Sequence, residues 1–144
     1  MVDVTAKDVT VRTATAVGRV LVSPQVVALL LGAGVPKGDA LAVSRIAGIM
    51  AAKRTADLVP LCHPIAVQAV TVDLSVEDDA VAIVAMVRTA DRTGVEMEAL
   101  TSVTVAALTL IDMVKAVDPA ATITGVRVES KTGGKTGDWH RDDG

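Results

Sequence analysis

Hydrophobic and polar positions change period several times along the chain, and each change marks a boundary. Residues 9–22, VTVRTATAVGRVLV, are Val- and Thr-rich with near-alternating polarity, the period of two that predicts a β-strand. Ser23 stands where an N-cap belongs, Pro24 suits the first helical position, and Gly32 with Gly34 marks a stop, so a short helix is expected from residue 23 to about 31. Pro36-Lys37-Gly38 reads as a turn, and Asp39 as the cap of a longer helix reaching roughly residue 55. Its small residues Ala40, Ala47, Gly48, Ala51 and Ala52 would let a partner element approach closely, and it leads into the loop LVPLCHP. Residues 66–77 and 80–90 are β-rich again, joined by the acidic Glu77-Asp78-Asp79, a hairpin signal. Residues 91–94 punctuate, residues 95–117 have a helical pattern and residues 121–130 form a last strand. The tail KTGGKTGDWHRDDG carries no apolar period.

The order strand, helices, strand, strand, helix, strand is that of an α+β, ferredoxin-like split βαβ sandwich: an antiparallel sheet packed on helices, with one extra short helix. A length of 144 residues predicts a single domain over 1–144, with 1–8 and 131–144 as mobile arms. No internal repeat is visible.

Composition narrows the class. Hydrophobic residues make up 51% and charged residues 22%, enough for a core, but Phe and Tyr are absent and Trp139 is the single tryptophan. The core must come from Ala, Val, Leu, Ile and Met, which bury little area each, a deficit that oligomers make up. A net charge of -3 and the lack of stacking platforms argue against nucleic acid. Residues 20–36 are interrupted by Pro24, Gln25, Gly32 and Gly34, and the start carries Asp3, Lys7, Asp8 and Arg12, so neither a membrane span nor a signal peptide is expected and the protein reads as cytoplasmic. Cys62 alone closes no intramolecular disulfide, and with His63 and His140 it supplies too few ligands for structural zinc, so no metal is expected.

In the long helix the only charges between residues 96 and 115 are Glu96, Glu98, Asp112 and Lys115. A helix apolar all round is buried all round, so the face away from the sheet calls for a second subunit, and a homo-oligomer is expected. Glu98 and Asp112 are 14 residues apart, roughly 21 Å at the helical rise. A site using both would join the start of this helix in one chain to its end in another. Asp112 and Lys115, at i and i+3, face the same side and read either as a coupled acid–base pair or as a solvated ion pair. Glu96 and Glu98, at i and i+2, do not converge on a metal.

Residues 35–63 carry a net charge of +2 in an acidic chain, which suggests a polyanionic small ligand, although Lys53 and Arg54 also suit a helix C-terminus. His63 reads as a hydrogen-bond donor to phosphate, a proton shuttle or a partner of loop carbonyls. The motif GGKTG is not a nucleotide-hydrolase loop, because Glu129 occupies the position that needs glycine and no helix follows. A glycine-rich arm bearing Lys131 and Lys135 over phosphates is one reading of it, an ordinary tail another.

The segments AKRTADLVPLCHP, TGVEMEALTSVTVAALTLIDMVKAV and KTGGKTG, with the opening MVDVTAK and the turn PKGDAL, resemble the molybdenum cofactor biosynthesis protein C family, the cyclic pyranopterin monophosphate synthases. The resemblance spans essentially the whole chain. It implies a ferredoxin-like fold in a homohexamer, a trimer of dimers with active sites at subunit interfaces, and a lyase that converts 3′,8-cyclo-7,8-dihydro-GTP into cyclic pyranopterin monophosphate and pyrophosphate without a redox cofactor. By the same resemblance Asp112 is the active-site aspartate, with Lys115 and Lys37 as catalytic lysines. Leu61, Cys62, His63, Met97 and Glu98 line the substrate pocket, while Glu96, Lys53 and Lys131 fall on further pocket or phosphate contacts. Departures are Ala56 for a frequent Trp, Val114 for a frequent Cys, and Thr132 and Thr136 for Ser. From a different class, a non-catalytic oligomeric module binding a purine nucleotide would account for the same fold and basic turns, though not for that full residue set.

Overall fold

The alternation of the first predicted strand becomes β1 (Thr10–Leu21), the middle strand of a five-stranded antiparallel sheet. In this computed structural model, which describes residues 1–142, Ala14, Ala16 and Val20 are buried beneath the helices, while Val11, Arg19 and Leu21 are exposed on the far face. The other strands are β2 (Ala69–Val76), β3 (Ala80–Asp91), β4 (Thr122–Thr132) and β5 (Trp139–His140), in the order β2-β3-β1-β4-β5. That order, with β3 inserted between β2 and β1, is the ferredoxin-like split βαβ arrangement. Register places Ala85 and Val128 on either side of Ala16, and Val81 and Ile123 on either side of Val20, so small and branched side chains form one apolar face.

The caps anticipated from sequence form. Ser23 Oγ accepts from the Val26 N–H at 3.3 Å at the start of α1 (Pro24–Leu31), and Asp39 Oδ1 accepts from the Ala42 N–H at 3.0 Å at the start of α2 (Ala40–Ala52). A single turn, α3 (Thr55–Leu58), follows. The long helix is α4 (Glu96–Val114), whose Ala99, Val103, Ala106, Ala107 and Leu110 are fully buried. It rests on β1, β3 and β4 with one side and meets α2 with another. The second contact is close because Gly48 of α2 has no side chain: a Cβ there would stand 3.0 Å from the Ser102 carbonyl oxygen. Much of the face of α4 that the sequence leaves to a second subunit is therefore covered by α2 of the same chain. Among its apolar residues, Met97 and Leu108 stay exposed, at 40% and 59%. By length and mean hydropathy α4 would also pass for a membrane span, yet half of it is inside this fold.

Element ends differ from the sequence reading for local reasons. α2 stops at Ala52, not near 55, because the N–H groups of Lys53 and Arg54 bond three residues back to Met50 and Ala51, and the Thr55 hydroxyl donates to the Ala52 carbonyl. α4 stops at Val114 rather than 117, since the Val117 and Asp118 N–H groups both turn back onto the Val114 carbonyl. β2 begins at Ala69 rather than 66, where the Ala66 carbonyl is taken by the Thr89 hydroxyl at 2.7 Å. The last predicted strand runs on to Thr132, and the chain then reverses through Gly133 and Gly134, at φ +84° and +83°, to lay β5 beside β4. Residues 143–144, the end of the predicted C-terminal arm, lie outside the described residues.

Candidate active site

Two clusters of functional side chains form at opposite ends of α4. At its C-terminal end the i, i+3 spacing delivers Lys115, whose Nζ donates to Asp112 Oδ1 at 2.6 Å. The turn between α1 and α2 delivers Lys37, whose Nζ donates to the other carboxylate oxygen, Oδ2, at 2.8 Å. These two ammonium groups, Lys115 first and then Lys37, hold the Asp112 carboxyl down at about 2. All three side chains are about half exposed, so the ion pairs contribute little to stability and leave the ammonium groups within reach of a ligand.

At the N-terminal end one carboxyl is buried. Glu98, in the first turn of α4, is 2% exposed; its Oε1 accepts from the Cys62 thiol at 3.8 Å and its Oε2 has no hydrogen-bond partner. Burial raises the Glu98 carboxyl above its ordinary range, and burial followed by the nearby Glu98 charge raises the Cys62 thiol. Leu61, Cys62 and His63 sit on the loop after α3 and, with Glu96, Met97, Val4 and Lys7, line a cleft of about 540 Å³. His63 Nε2 lies 2.7 Å from the Val2 carbonyl oxygen, to which its N–H donates. Lys53, just past α2, meets Glu98 from another direction, across a small cavity of about 110 Å³.

Beside the first cleft is a second, of about 280 Å³, whose lining includes Lys7, Arg12, Lys131, Lys135 and Glu96. Lys131 Nζ pairs with Glu96 Oε1 at 3.1 Å, which leaves four cations facing one carboxylate. The two clefts share Lys7, Thr93, Gly94 and Glu96 and so adjoin at the start of α4. Glycine suits the hairpin that closes this side: both Gly133 and Gly134 have positive φ, and a Cβ at Gly133 would also collide with the Val11 carbonyl. Lys7 and Arg12 have no place among the site residues read from the sequence. Only the pairing of β1 with β4, which sets Thr13 opposite Thr132, brings Arg12 to the Lys131 hairpin.

The chain thus brings together Lys37, Asp112 and Lys115 at one end, and Leu61, Cys62, His63, Glu96, Met97, Glu98 and Lys131 at the other, with Lys53 near the latter. Within one chain the two groups do not meet: 19 residues of helix span about 28 Å.

Comparison with known proteins yields one family. A family profile described as "MoaC family" matches residues 1–134. The chain is similar to the cyclic pyranopterin monophosphate synthase of Streptomyces avermitilis, 74% identical over 141 residues, covering 98% of this chain and 83% of the relative. It is 69% identical over 144 residues to the cyclic pyranopterin monophosphate synthase of Nocardioides sp., covering 98% and 88%. To the cyclic pyranopterin monophosphate synthase 2 of Mycobacterium tuberculosis it is 60% identical over 141 residues, covering 98% and 84%.

Proposed function

We propose a function from one premise: the chain belongs to the MoaC family. It is a cyclic pyranopterin monophosphate synthase of molybdenum cofactor biosynthesis, a cytoplasmic lyase that takes 3′,8-cyclo-7,8-dihydro-GTP to cyclic pyranopterin monophosphate and pyrophosphate. The observation that carries this reading is the adjoining pair of clefts at the start of α4. One is lined by four cations and suits a triphosphate; the other is lined by the Leu61–His63 loop, Glu96 and Met97, with the buried Glu98 carboxyl behind Cys62, and suits a purine-derived ring.

In the reaction a hydroxyl of the substrate passes its proton to water and closes on the α-phosphorus, the bond from that phosphorus to the bridging oxygen breaks, and pyrophosphate leaves with the electron pair. Charge grows on the leaving group. Lys7, Arg12, Lys131 and Lys135 stand where they would offset it, and Glu96 keeps Lys131 directed into the cleft. Cys62 and, behind it, Glu98, whose neutral form burial favours, orient the ring; Leu61, Met97 and His63 line that cleft, and Lys53 lies across the small cavity on the other side of Glu98. Ring opening and reclosure need proton transfers, the work assigned to Lys37 and Lys115. Asp112 holds both ammonium groups in one place and is ionised throughout the physiological range.

These lysines reach the substrate only if the end of α4 from a second copy meets the start of α4 in the first, because a single α4 keeps the two ends apart. A homohexamer built as a trimer of dimers meets that requirement. It is supported by exposed apolar side chains at i, i+3 and i+7 along α2, Val43, Ile46 and Met50, and by Leu108 on α4. The test is anaerobic incubation of the protein with the cyclised dihydro-GTP, with plain GTP as control. Product and pyrophosphate from the cyclised compound alone are expected; bound substrate without product would overturn the reading.

A further inference from the structure

We propose that Arg92, at the corner after β3, is a positioning residue that sets Lys7 at the junction of the two clefts. Its Nη1 donates to two carbonyls of the N-terminal arm, Thr5 O at 2.9 Å and Lys7 O at 2.6 Å. Few other ties hold that segment. Residues 1–8 are exposed except for Val4, which is half-buried, so apolar burial does little to fix them. A local turn, in which Asp3 Oδ1 accepts from the Thr5 N–H and hydroxyl, shapes the arm without anchoring it to the body of the protein. Among the described residues the arm's other hydrogen bond to the body is from His63 to the Val2 carbonyl.

Arg92 itself is anchored, half-buried, with its N–H donating to Asp91 Oδ1 at 2.7 Å. The carbonyl of the same Asp91 accepts from Arg12 Nε at 3.0 Å. One corner of the sheet therefore orients two cations: Arg12 through a backbone oxygen, and Lys7 through the Arg92 clamp on its own carbonyl. Lys7 lines both clefts, and among the described residues no carboxylate lies within ion-pair distance of it. Its ammonium is thus available to an anion once the arm is in place, and the arm is in place because a guanidinium clamps two of its carbonyls, a charge-assisted contact. Arg92 lines neither cleft, so its effect passes through Lys7.

This inference rests on the polyphosphate reading above and is tested by a measurement independent of turnover. Pyrophosphate binding is followed by calorimetry, alongside steady-state kinetics, for the wild type, Arg92→Ala, Arg92→Lys, Lys7→Ala and Arg92→Ala with Lys7→Ala. Arg92→Ala is expected to weaken pyrophosphate binding and raise KM by about tenfold, with kcat within about twofold, the scale of one charge-assisted anchor. Arg92→Lys, which can donate to the same carbonyls, should recover most of the loss. The double variant should be no worse than Lys7→Ala alone. Additive losses, or pyrophosphate affinity unchanged in Arg92→Ala, would overturn the assignment, as would a wild type that binds no pyrophosphate. A wild type that binds pyrophosphate but does not turn over the cyclised substrate would instead sink the enzymatic reading, while the binding cycle still decides the role of Arg92.

Discussion

The two ends of α4 hold the same functional group in opposite surroundings. At the first turn Glu98 is buried, meets one weak thiol donor and is pushed toward its neutral form. Fourteen residues later Asp112 is half exposed, meets two ammonium groups and stays ionised down to about pH 2. Helical position alone would favour the reverse, since the helix dipole stabilises a carboxylate in the first turn and disfavours one in the last. Surroundings decide: the loop after α3 closes over Glu98, whereas the Lys37 turn brings a charge to Asp112 without excluding water. A carboxyl's chemistry follows from what the rest of the chain places beside it.

The largest expected effect that would break this contrast is at the Asp112 end. Lys115→Ala should lower kcat by about a thousandfold, within the range for loss of an acid–base group, with the oligomer intact by sedimentation. Unchanged release of pyrophosphate would remove Lys115 from the chemistry.

Gly48→Ala addresses what joins the two ends. Its new Cβ would press on the Ser102 carbonyl and on Ala106, prying α2 from α4 at a cost of about 1–3 kcal/mol. Because both clusters depend on that packing, turnover should fall together with the thermal midpoint. A variant as stable as the wild type would mean that α2 and α4 yield without cost.

Glu98→Gln sharpens the other end. The folded state raises this carboxyl, so ionised Glu98 costs stability above its unfolded value of 4.5 and nothing below it. The amide should therefore raise the melting temperature by about 2–4 °C at pH 8 and by less at pH 4. Equal gains at both values would contradict a titrating buried carboxyl. Asp112→Asn has the smallest effect on stability and the opposite sign. The stabilisation it removes is present above pH 3.8 and is lost as pH falls toward about 2. The gap between the urea midpoints of wild type and variant should stay level from pH 8 to 5 and close below pH 4.

Much of the fold was legible in the sequence. Strand alternation, the Ser23 and Asp39 caps and the hairpin at residues 77–79 are local patterns, and each appears where its residues put it. Element ends were less legible, because they are decided by hydrogen bonds that break the period inside each predicted run, with the Ala52, Val114 and Ala66 carbonyls accepting from Thr55, Val117 and Thr89. The candidate site was legible in part: the i, i+3 relation of Asp112 and Lys115 is a property of the helix, whereas Lys37 was named by family resemblance and Lys7 and Arg12 were missed. No spacing rule connects residue 37 with 112, or residue 12 with 134.

The sequence alone therefore determined the main helices and strands, the family and the adjacency of Asp112 to Lys115, because period, caps and helical spacing act within a few residues. Tertiary structure alone decided that Lys37 shares Asp112, that Glu98 lies buried beside Cys62, that α2 covers α4 and that Arg92 clamps the arm bearing Lys7. Each of these depends on where elements distant in the chain come to rest, and that is set by how the apolar faces of sheet and helices pack together.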